Sequence, residues 1–293
     1  MISNTKQPDI TVYIITKNRL NLLKRCVNSI LNQNFSDFEI IIVDDASTDK
    51  TPNYLKELEI SNVKVRCFFN DVSRGACYSR NIAIQEAKGK YITGSDDDDY
   101  FLPNRLSVFF SKRHLLDDYI FLHSHNLFLT KSGMKKSIPN KLSPKVITHR
   151  NLLSYNSIGN QVFTKTYVLK KYLFNELLPA WQDFEIWYRI MFNENRNSIY
   201  IENYSYVQDV LHDSIRISDS KLSRISTAME IFKDNNDLND LELNVLSNHL
   251  RSYENNLKLR KESLIALAKY HPNLFNVFLI AFYTLKFILN KFR

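Results

Sequence analysis

Glycine is the residue this chain has least reason to lack, and it has only five in 293; average usage near 7% would give about 20. None of Gly75, Gly89, Gly94, Gly133 and Gly159 lies two positions from another, so no G-x-G-x-x-G turn for a dinucleotide can form. Gly89 and Gly94 have the outer spacing of a phosphate-binding P-loop, but Ser95-Asp96 follows where Lys-Ser/Thr is required. Neither H-E-x-x-H nor G-x-S-x-G occurs. These absences argue against a dinucleotide-fingerprint oxidoreductase and a P-loop kinase. The three cysteines (Cys26, Cys67, Cys77) contain no C-x-x-C pair, which argues against a disulfide framework or structural zinc and suits a reducing cytoplasm. Met1 to Asp9 lacks a basic start followed by an apolar run, so no signal peptide is expected. No run of 18 uncharged apolar residues occurs, so no spanning helix is expected either.

What is present fits a soluble globular protein with a sizeable core: 44% of residues are hydrophobic and 24% charged. Ile10–Ile15, Phe38–Val43, Val63–Phe69 and Lys90–Thr93 read as short apolar strands. Leu20–Gln33, Thr48–Leu58 and Ser73–Ala87 read as helices between them. Strands alternating with helices imply βαβ units and a mainly parallel sheet covered on both faces. Beyond residue 100 the pattern loosens. Pro103–Leu116 predicts a helix, Tyr119–Thr130 a strand, residues 131–150 a loop, and Trp181–Phe192 a helix. From Ser218 nearly everything reads as helix. The expected organisation is an α/β domain over 1–215 and a helical extension over 216–293.

Two acidic segments follow strands. The second strand runs into Val43-Asp44-Asp45-Ala46-Ser47, and the fourth into Ser95-Asp96-Asp97-Asp98-Asp99. Four successive carboxylates repel one another unless a cation neutralises them. Pinned between a buried strand and an apolar Tyr-Phe-Leu-Pro, the run points into a cleft. Carboxylate oxygens there suit Mg²⁺ or Mn²⁺, which also hold substrate phosphates.

Five segments together resemble the family 2 glycosyltransferases: Ile10–Arg19, Ile40–Thr51, Gly75–Asn81, Asp96–Leu106 and Trp181–Arg189. The resemblance implies a GT-A fold, a mainly parallel α/β sheet flanked by helices, with inverting transfer from a nucleotide-sugar and a divalent Mn²⁺ or Mg²⁺. It places Ile15, Asn18, Asp44, Asp45, Arg80, Asp96 and Asp97 at the nucleotide-sugar. Asp45 matches the acid that accepts from the uracil ring, Asp44 suits fixing the loop, and Ser47 suits either donor contact or an N-cap. Asp96 and Asp98 match the metal acids, and Asp99 suits capping the next helix. Asp183 matches the general base, and Glu185 a second acid that orients the site. Gln182 stands where the family usually has Glu. His212, within a segment resembling H-x-x-S-x-S, is a further candidate metal ligand. His123 and His125 share one face of a predicted strand but have no third matching ligand for zinc.

The net charge of +8 is concentrated at the end: Lys258 to Arg293 holds seven basic residues and one acid. Leu274–Phe292 is apolar around most of a helical circumference and rich in Phe. An apolar, basic helix has the character of one lying in an anionic membrane surface, and a buried core helix would show the same polar stripe. The resemblance thus implies an enzyme peripheral on the inner membrane face. It would move a hexose or N-acetylhexosamine from a UDP-sugar to a hydroxyl of a saccharide on a lipid diphosphate carrier, forming a β linkage in O-antigen, capsule or lipopolysaccharide synthesis. Two alternatives remain at this point: a nucleotidyltransferase of related α/β fold, and a non-enzymatic basic membrane-binding protein. Basic residues do not interleave with aromatics along any predicted strand, so no nucleic-acid partner is expected. The guess for the acceptor side is the segment Asn156–Gln161.

Overall fold

The structure, a computed structural model, describes residues 7–136, 143–211, 222–251 and 265–270, together with 277, 278, 280, 281, 284 and 285. Its centre is the expected alternation. Strands β1 (Ile10–Thr16), β2 (Phe38–Asp44), β3 (Val65–Phe69) and β4 (Tyr91–Asp96) are interleaved with helices α1 (Leu20–Leu31), α2 (Thr51–Ser61) and α3 (Ala76–Glu86). The sheet order is β3-β2-β1-β4, all parallel, and the two-residue β10 (Thr164–Lys165) closes the β4 edge antiparallel. The apolar strands divide their side chains between two cores. Ile10, Val12, Ile14, Ile40 and Ile42 pack with Leu23, Cys26, Val27 and Ile30 of α1. Tyr13, Ile41 and Val43 pack on the other face with Ala83 and Ile84 of α3. A strand buried on both faces needs no polar side, which is why these runs are not alternating.

Past residue 96 the structure departs from the expectations in instructive ways. The helix expected over Pro103–Leu116 is a short α4 (Arg105–Ser111) followed by a 3-10 turn at Arg113–Asp117. The expected strand Tyr119–Thr130 breaks at Ser124-His125 into β6 (Phe121–His123) and β7 (Asn126–Thr130). These belong to different sheets: β6 pairs with β11 (Ser198–Tyr200), whereas β7 pairs with β12 (Tyr206–Asp209). Residues expected as loop contribute β8 (Gly133–Lys136), β9 (Val146–Ile147) and α5 (His149–Ser154). A capping box fixes the start of α5: Thr148 accepts from the Asn151 N–H, and the Asn151 side chain accepts in return from the Thr148 N–H.

Helices α6 (Thr166–Tyr172) and α7 (Gln182–Glu194) complete the body around the sheet. Two more, α8 (Leu222–Asn235) and α9 (Asp240–Arg251), belong to the extension. Phe232, Val245, Leu246, Ala266 and Leu267 share one hydrophobic cluster with Tyr13, Ile41, Ile186 and Trp187. The Phe184 and Phe232 rings stack at 5.1 Å. Among the described residues, no helix is long and apolar enough to cross a membrane.

Candidate active site

The strand order reverses between β1 and β4, because β2 and β3 lie on one side of β1 and β4 on the other. Ligands of open α/β sheets bind beyond the carboxyl ends of the strands at such a point. A cleft of about 830 Å³ opens there. Its walls include Ile15 at the end of β1, Asp45 after β2, Arg80 of α3, Asp96–Asp99 after β4, and Asp183 in the first turn of α7. Residues distant in sequence thus converge on one cavity.

Asp96, Asp98 and Asp99 each offer a carboxylate oxygen within 4.8 Å of the others. Three converging oxygen donors fit a hard divalent cation. Asp96 is held from several directions: Asn160 Nδ2 donates to it at 2.8 Å, Gln161 Nε2 at 3.3 Å and Arg80 at 3.4 Å. Asn160 and Gln161 therefore hold the acidic cluster, and Asn156 and Asn160 of the expected acceptor segment line the cleft. Asp99 does not cap the following helix, whose N-cap is Asn104. It accepts instead from the Asp209 N–H at 3.1 Å and from the Tyr206 hydroxyl. Burial and the charges of Asp96 and Asp98 push Asp99 well above the usual carboxylate range. Gly94, two residues before Asp96, is required by the same packing: a Cβ there would lie 2.2 Å from Gln161 Oε1 and 2.5 Å from the Tyr13 ring.

Asp97 turns the other way. It is buried, accepts from Thr16 Oγ1 at 2.8 Å, and pairs with Arg19 at 3.1 Å. Burial pushes it up to about 6 despite the pull of Arg19. Arg19 also bonds Asp98 at 3.0 Å, so one guanidinium ties the β1 loop to the acidic run.

The loop after β2 separates its two acids cleanly. Asp44 is buried, and both its oxygens accept from Ser47. It does not line the cleft among the described residues, so its role is to shape the turn. Ser47 is no N-cap: its Oγ accepts from the Asn18 N–H at 2.8 Å, and Lys50 occupies the cap of α2. Asn18, in the left-handed region at φ 54°, accepts through Oδ1 from the Thr48 and Asp49 N–H groups. It buttresses the loop from outside the cleft, a correction to its expected contact with the donor. Asp45 faces inward and accepts from Asn70, Ser73 Oγ and the N–H groups of Arg74 and Gly75, at 2.6–3.0 Å. Burial alone would raise its pKa, but these bonds hold it below the ordinary carboxylate value. Gly75, at φ 89°, lets the chain present consecutive N–H groups to this carboxylate.

Arg80 is 9% exposed and lies under the cleft floor, its guanidinium 5.3 Å from the Phe174 ring. It donates to Gln182 Oε1 at 2.7 Å and to Asp96. Asp183 sits beside it. Burial raises Asp183 most, the Arg80 charge lowers it, and Asp96 raises it again, giving about 7. Among the described residues no donor is hydrogen-bonded to its carboxylate, which leaves it free to take a proton from a ligand. Trp181, immediately before α7, has φ 58° and ψ 25°. A bulky residue in the left-handed region costs on the order of 1–3 kcal/mol and persists only where its surroundings enforce it. Phe184 and His249 do so, packing perpendicular to the indole at 5.8 and 5.9 Å.

Glu185 corrects an expectation. It is fully buried on the far side of α7, bonded to Arg189 at 2.6 Å, and Arg189 in turn holds the Tyr172 and Leu173 carbonyls. It anchors α7 and does not line the cleft. His212 lies outside the described residues. His123 and His125 are core residues: His123 bonds Ser198 at 2.7 Å, and His125 stacks on Tyr200 at 4.0 Å. Burial brings them down to about 3 and about 4 respectively, so both are neutral.

The glycosyl transferase family 2 model matches residues 11–123. A relative from Escherichia coli K12 named "Putative colanic acid biosynthesis glycosyl transferase WcaA" is 36% identical over 73% of this chain and 76% of its own. The chain belongs to glycosyl transferase family 2. A second E. coli relative, the UDP-Glc:α-D-GlcNAc-diphosphoundecaprenol β-1,3-glucosyltransferase WfgD, is 25% identical over 65% of this chain and 72% of its own. Among solved structures, S. aureus TarS 1-349 in complex with UDP-GlcNAc superposes with a TM-score of 0.65 at 19% identity, covering 89% of this chain and 80% of that one. The fold is GT-A, and the protein is a family 2 glycosyltransferase.

Proposed function

We propose that this glycosyltransferase moves a hexose or N-acetylhexosamine, with inversion, from a UDP-sugar to a hydroxyl of a lipid-linked saccharide. The pathway would be the synthesis of a bacterial surface polysaccharide. One observation carries the reading. Asp183, with a pKa of about 7 and no protein donor on its carboxylate among the described residues, shares a cleft with three converging carboxylates. That is a general base poised at working pH beside a site for a diphosphate's counterion. Asp96, Asp98 and Asp99 would hold Mn²⁺ or Mg²⁺, which would supply positive charge to neutralise the departing UDP. Asp183 takes the proton of the acceptor hydroxyl as its oxygen attacks the anomeric carbon from the face opposite the leaving diphosphate. An α-linked donor then yields a β-linked product. Asp45 and Arg80 line the same cleft, where Asp45 would accept from a uracil N–H and Arg80 would balance negative charge near the diphosphate.

The names of the relatives support the pathway, and TarS and WfgD support UDP as the carrier. The surface supports a peripheral location. In the described part of the C-terminal segment, Val277, Ala281 and Leu285 form an exposed stripe four residues apart, while Phe278 and Ile280 pack towards the core. Such a stripe beside the basic tail fits an anionic membrane. A panel of UDP-sugars assayed with Mn²⁺ tests the proposal. One of them is expected to bind and to release UDP slowly by hydrolysis and faster with acceptor. Release of pyrophosphate would mean nucleotidyl transfer instead, and binding of no UDP-sugar would overturn the donor assignment.

A further inference from the structure

In-line displacement divides the cleft. The acceptor must approach from the side of Asp183, since the diphosphate leaves on the opposite face of the sugar. The wall on that side is not made by the sheet. It consists of the segment before α7 (Leu178, Pro179, Ala180, Trp181) and of Arg224 and Ile225 from α8. The helical extension is therefore part of the cleft.

The chemistry of this wall is selective. Leu178, Ala180 and Ile225 form a small apolar cluster against which Trp181 packs, while Glu176, already held by a bond from Asn81 Nδ2 at 3.0 Å, and His249 also line the cleft. Trp181 stands two residues before the base, in a left-handed backbone conformation that only its neighbours maintain. Arg224 is exposed, and its Nη2 donates to the Pro179 carbonyl at 2.9 Å, fixing the guanidinium over the same segment. The other cleft cations have partners in the donor half. Arg19 pairs with Asp97 and Asp98, Arg80 with Asp96, Lys17 bonds Ser73, and Arg74 covers the Tyr78 ring at 3.7 Å. Among the described residues, no carboxylate lies within ion-pair distance of Arg224.

We propose that Trp181 and Arg224 form the acceptor subsite for a glycosyl diphosphate, with the indole under the accepting sugar ring and the guanidinium on the diphosphate attached to that sugar. The inference rests on the glycosyl-transfer reading above and adds the residues that would select a diphosphate-linked acceptor. The indole offers a flat apolar surface to the C–H face of a pyranose. The planar guanidinium forms paired, charge-assisted bonds to phosphate oxygens. The hydroxyl to be glycosylated and the diphosphate leave the same ring at different carbons. A platform beside the base with a cation next to it matches that separation.

The test compares two probes in the presence of UDP and Mn²⁺, read by calorimetry. One is N-acetylglucosaminyl diphosphate carrying a short alkyl tail; the other is the alkyl N-acetylglucosaminide with the same tail and no phosphate. The wild-type protein is expected to bind the diphosphate probe on the order of 10–100-fold more tightly, the value of one charge-assisted contact. Arg224→Gln should abolish that preference, while Arg224→Lys retains part of it. Trp181→Ala should weaken both probes by on the order of tenfold, and Trp181→Phe should restore most of the loss. UDP-sugar binding in the absence of acceptor should not change in the Arg224 variants. Equal affinity of the wild type for the two probes overturns the proposal, as does a preference that survives Arg224→Gln. Displacement of the diphosphate probe by inorganic pyrophosphate at equal strength overturns the sugar platform. Failure of the glycosyl-transfer reading itself would show separately, as a wild-type protein that binds no UDP-sugar.

Discussion

Asp183→Asn should inactivate the enzyme and stabilise it, and the pH dependence of the second effect is set by the first. The amide cannot accept the acceptor proton, so transfer should fall by on the order of 10²–10⁴-fold, the usual weight of a general base. Donor binding should persist, because Asp183 stands on the acceptor side. The stability effect follows from linkage. In the folded protein Asp183 titrates near 7, against 3.8 for an ordinary aspartate. Between those values the native state holds a proton that the unfolded chain has lost. The fold therefore carries no penalty from Asp183 below about pH 4, a growing one above it, and the full one above about pH 7. At 1.36 kcal/mol for each pH unit the limit is about 4 kcal/mol, and solvent entering the open cleft reduces it to about 2. Asparagine removes the penalty. Differential scanning fluorimetry should show the variant melting several degrees higher at pH 8, with roughly half that gain at pH 5.5. Wild-type kcat/KM should fall about tenfold for each pH unit below 7. Transfer at nearly the native rate, or a variant less stable than wild type at pH 8, would refute the assignment of Asp183 as a desolvated base.

The parallel core was legible because local rules and burial agree in it. Ile10, Val12, Ile14, Ile40 and Ile42 are β-branched, lie in short runs and fill one core, so periodicity, propensity and packing gave one answer. Legibility ended where pairing is non-local. Nothing near Ser124-His125 indicates that His123 will pair with Tyr200 and Asn126 with Tyr206. The site divides along the same line. Asp45, Asp96, Asp98 and Asp183 were singled out by the family resemblance; they stand at strand ends or a helix start, and the fold brings them to one cleft. Glu185 shares the helix with Asp183 but is two residues on, about 200° round the axis, so it faces Arg189 and the protein interior. Sequence adjacency suggested a shared role that helical geometry forbids. Asp99 was misread for the opposite reason: it looked like a helix cap, whereas Tyr206 and Asp209, more than a hundred residues on, turn it towards the acidic cluster. Tyr206 had no local signal at all. Only a folded β12 brings the tyrosine hydroxyl beneath Asp96.

Three further outcomes test the same cleft. Asp98→Ala should lose metal-dependent donor binding, and excess EDTA should abolish wild-type transfer; full activity in EDTA would remove the ion from the mechanism. Tyr206→Phe should weaken Mn²⁺ binding by on the order of 10–100-fold in an electron paramagnetic resonance titration. The hydroxyl accepts from the Asp96 N–H and from Asn160, each at 3.1 Å, and donates to Asp99, so the phenyl ring keeps the packing and loses only the hub. Gln182→Glu should move the acid limb of kcat/KM upward by about one pH unit. Gln182 holds Arg80 through Oε1 at 2.7 Å without cancelling its charge, and that charge is what lowers Asp183 against burial. A glutamate would keep the bond, neutralise the guanidinium and add a negative charge one residue from the base. The added charge, which offsets that of Arg80, favours protonated Asp183. Transfer should then fall at pH 7 and recover by pH 9, with donor affinity reduced as Arg80 loses its net charge. An acid limb that stays in place would mean that the Arg80 field does not reach the group controlling the rate, and that this group is not Asp183.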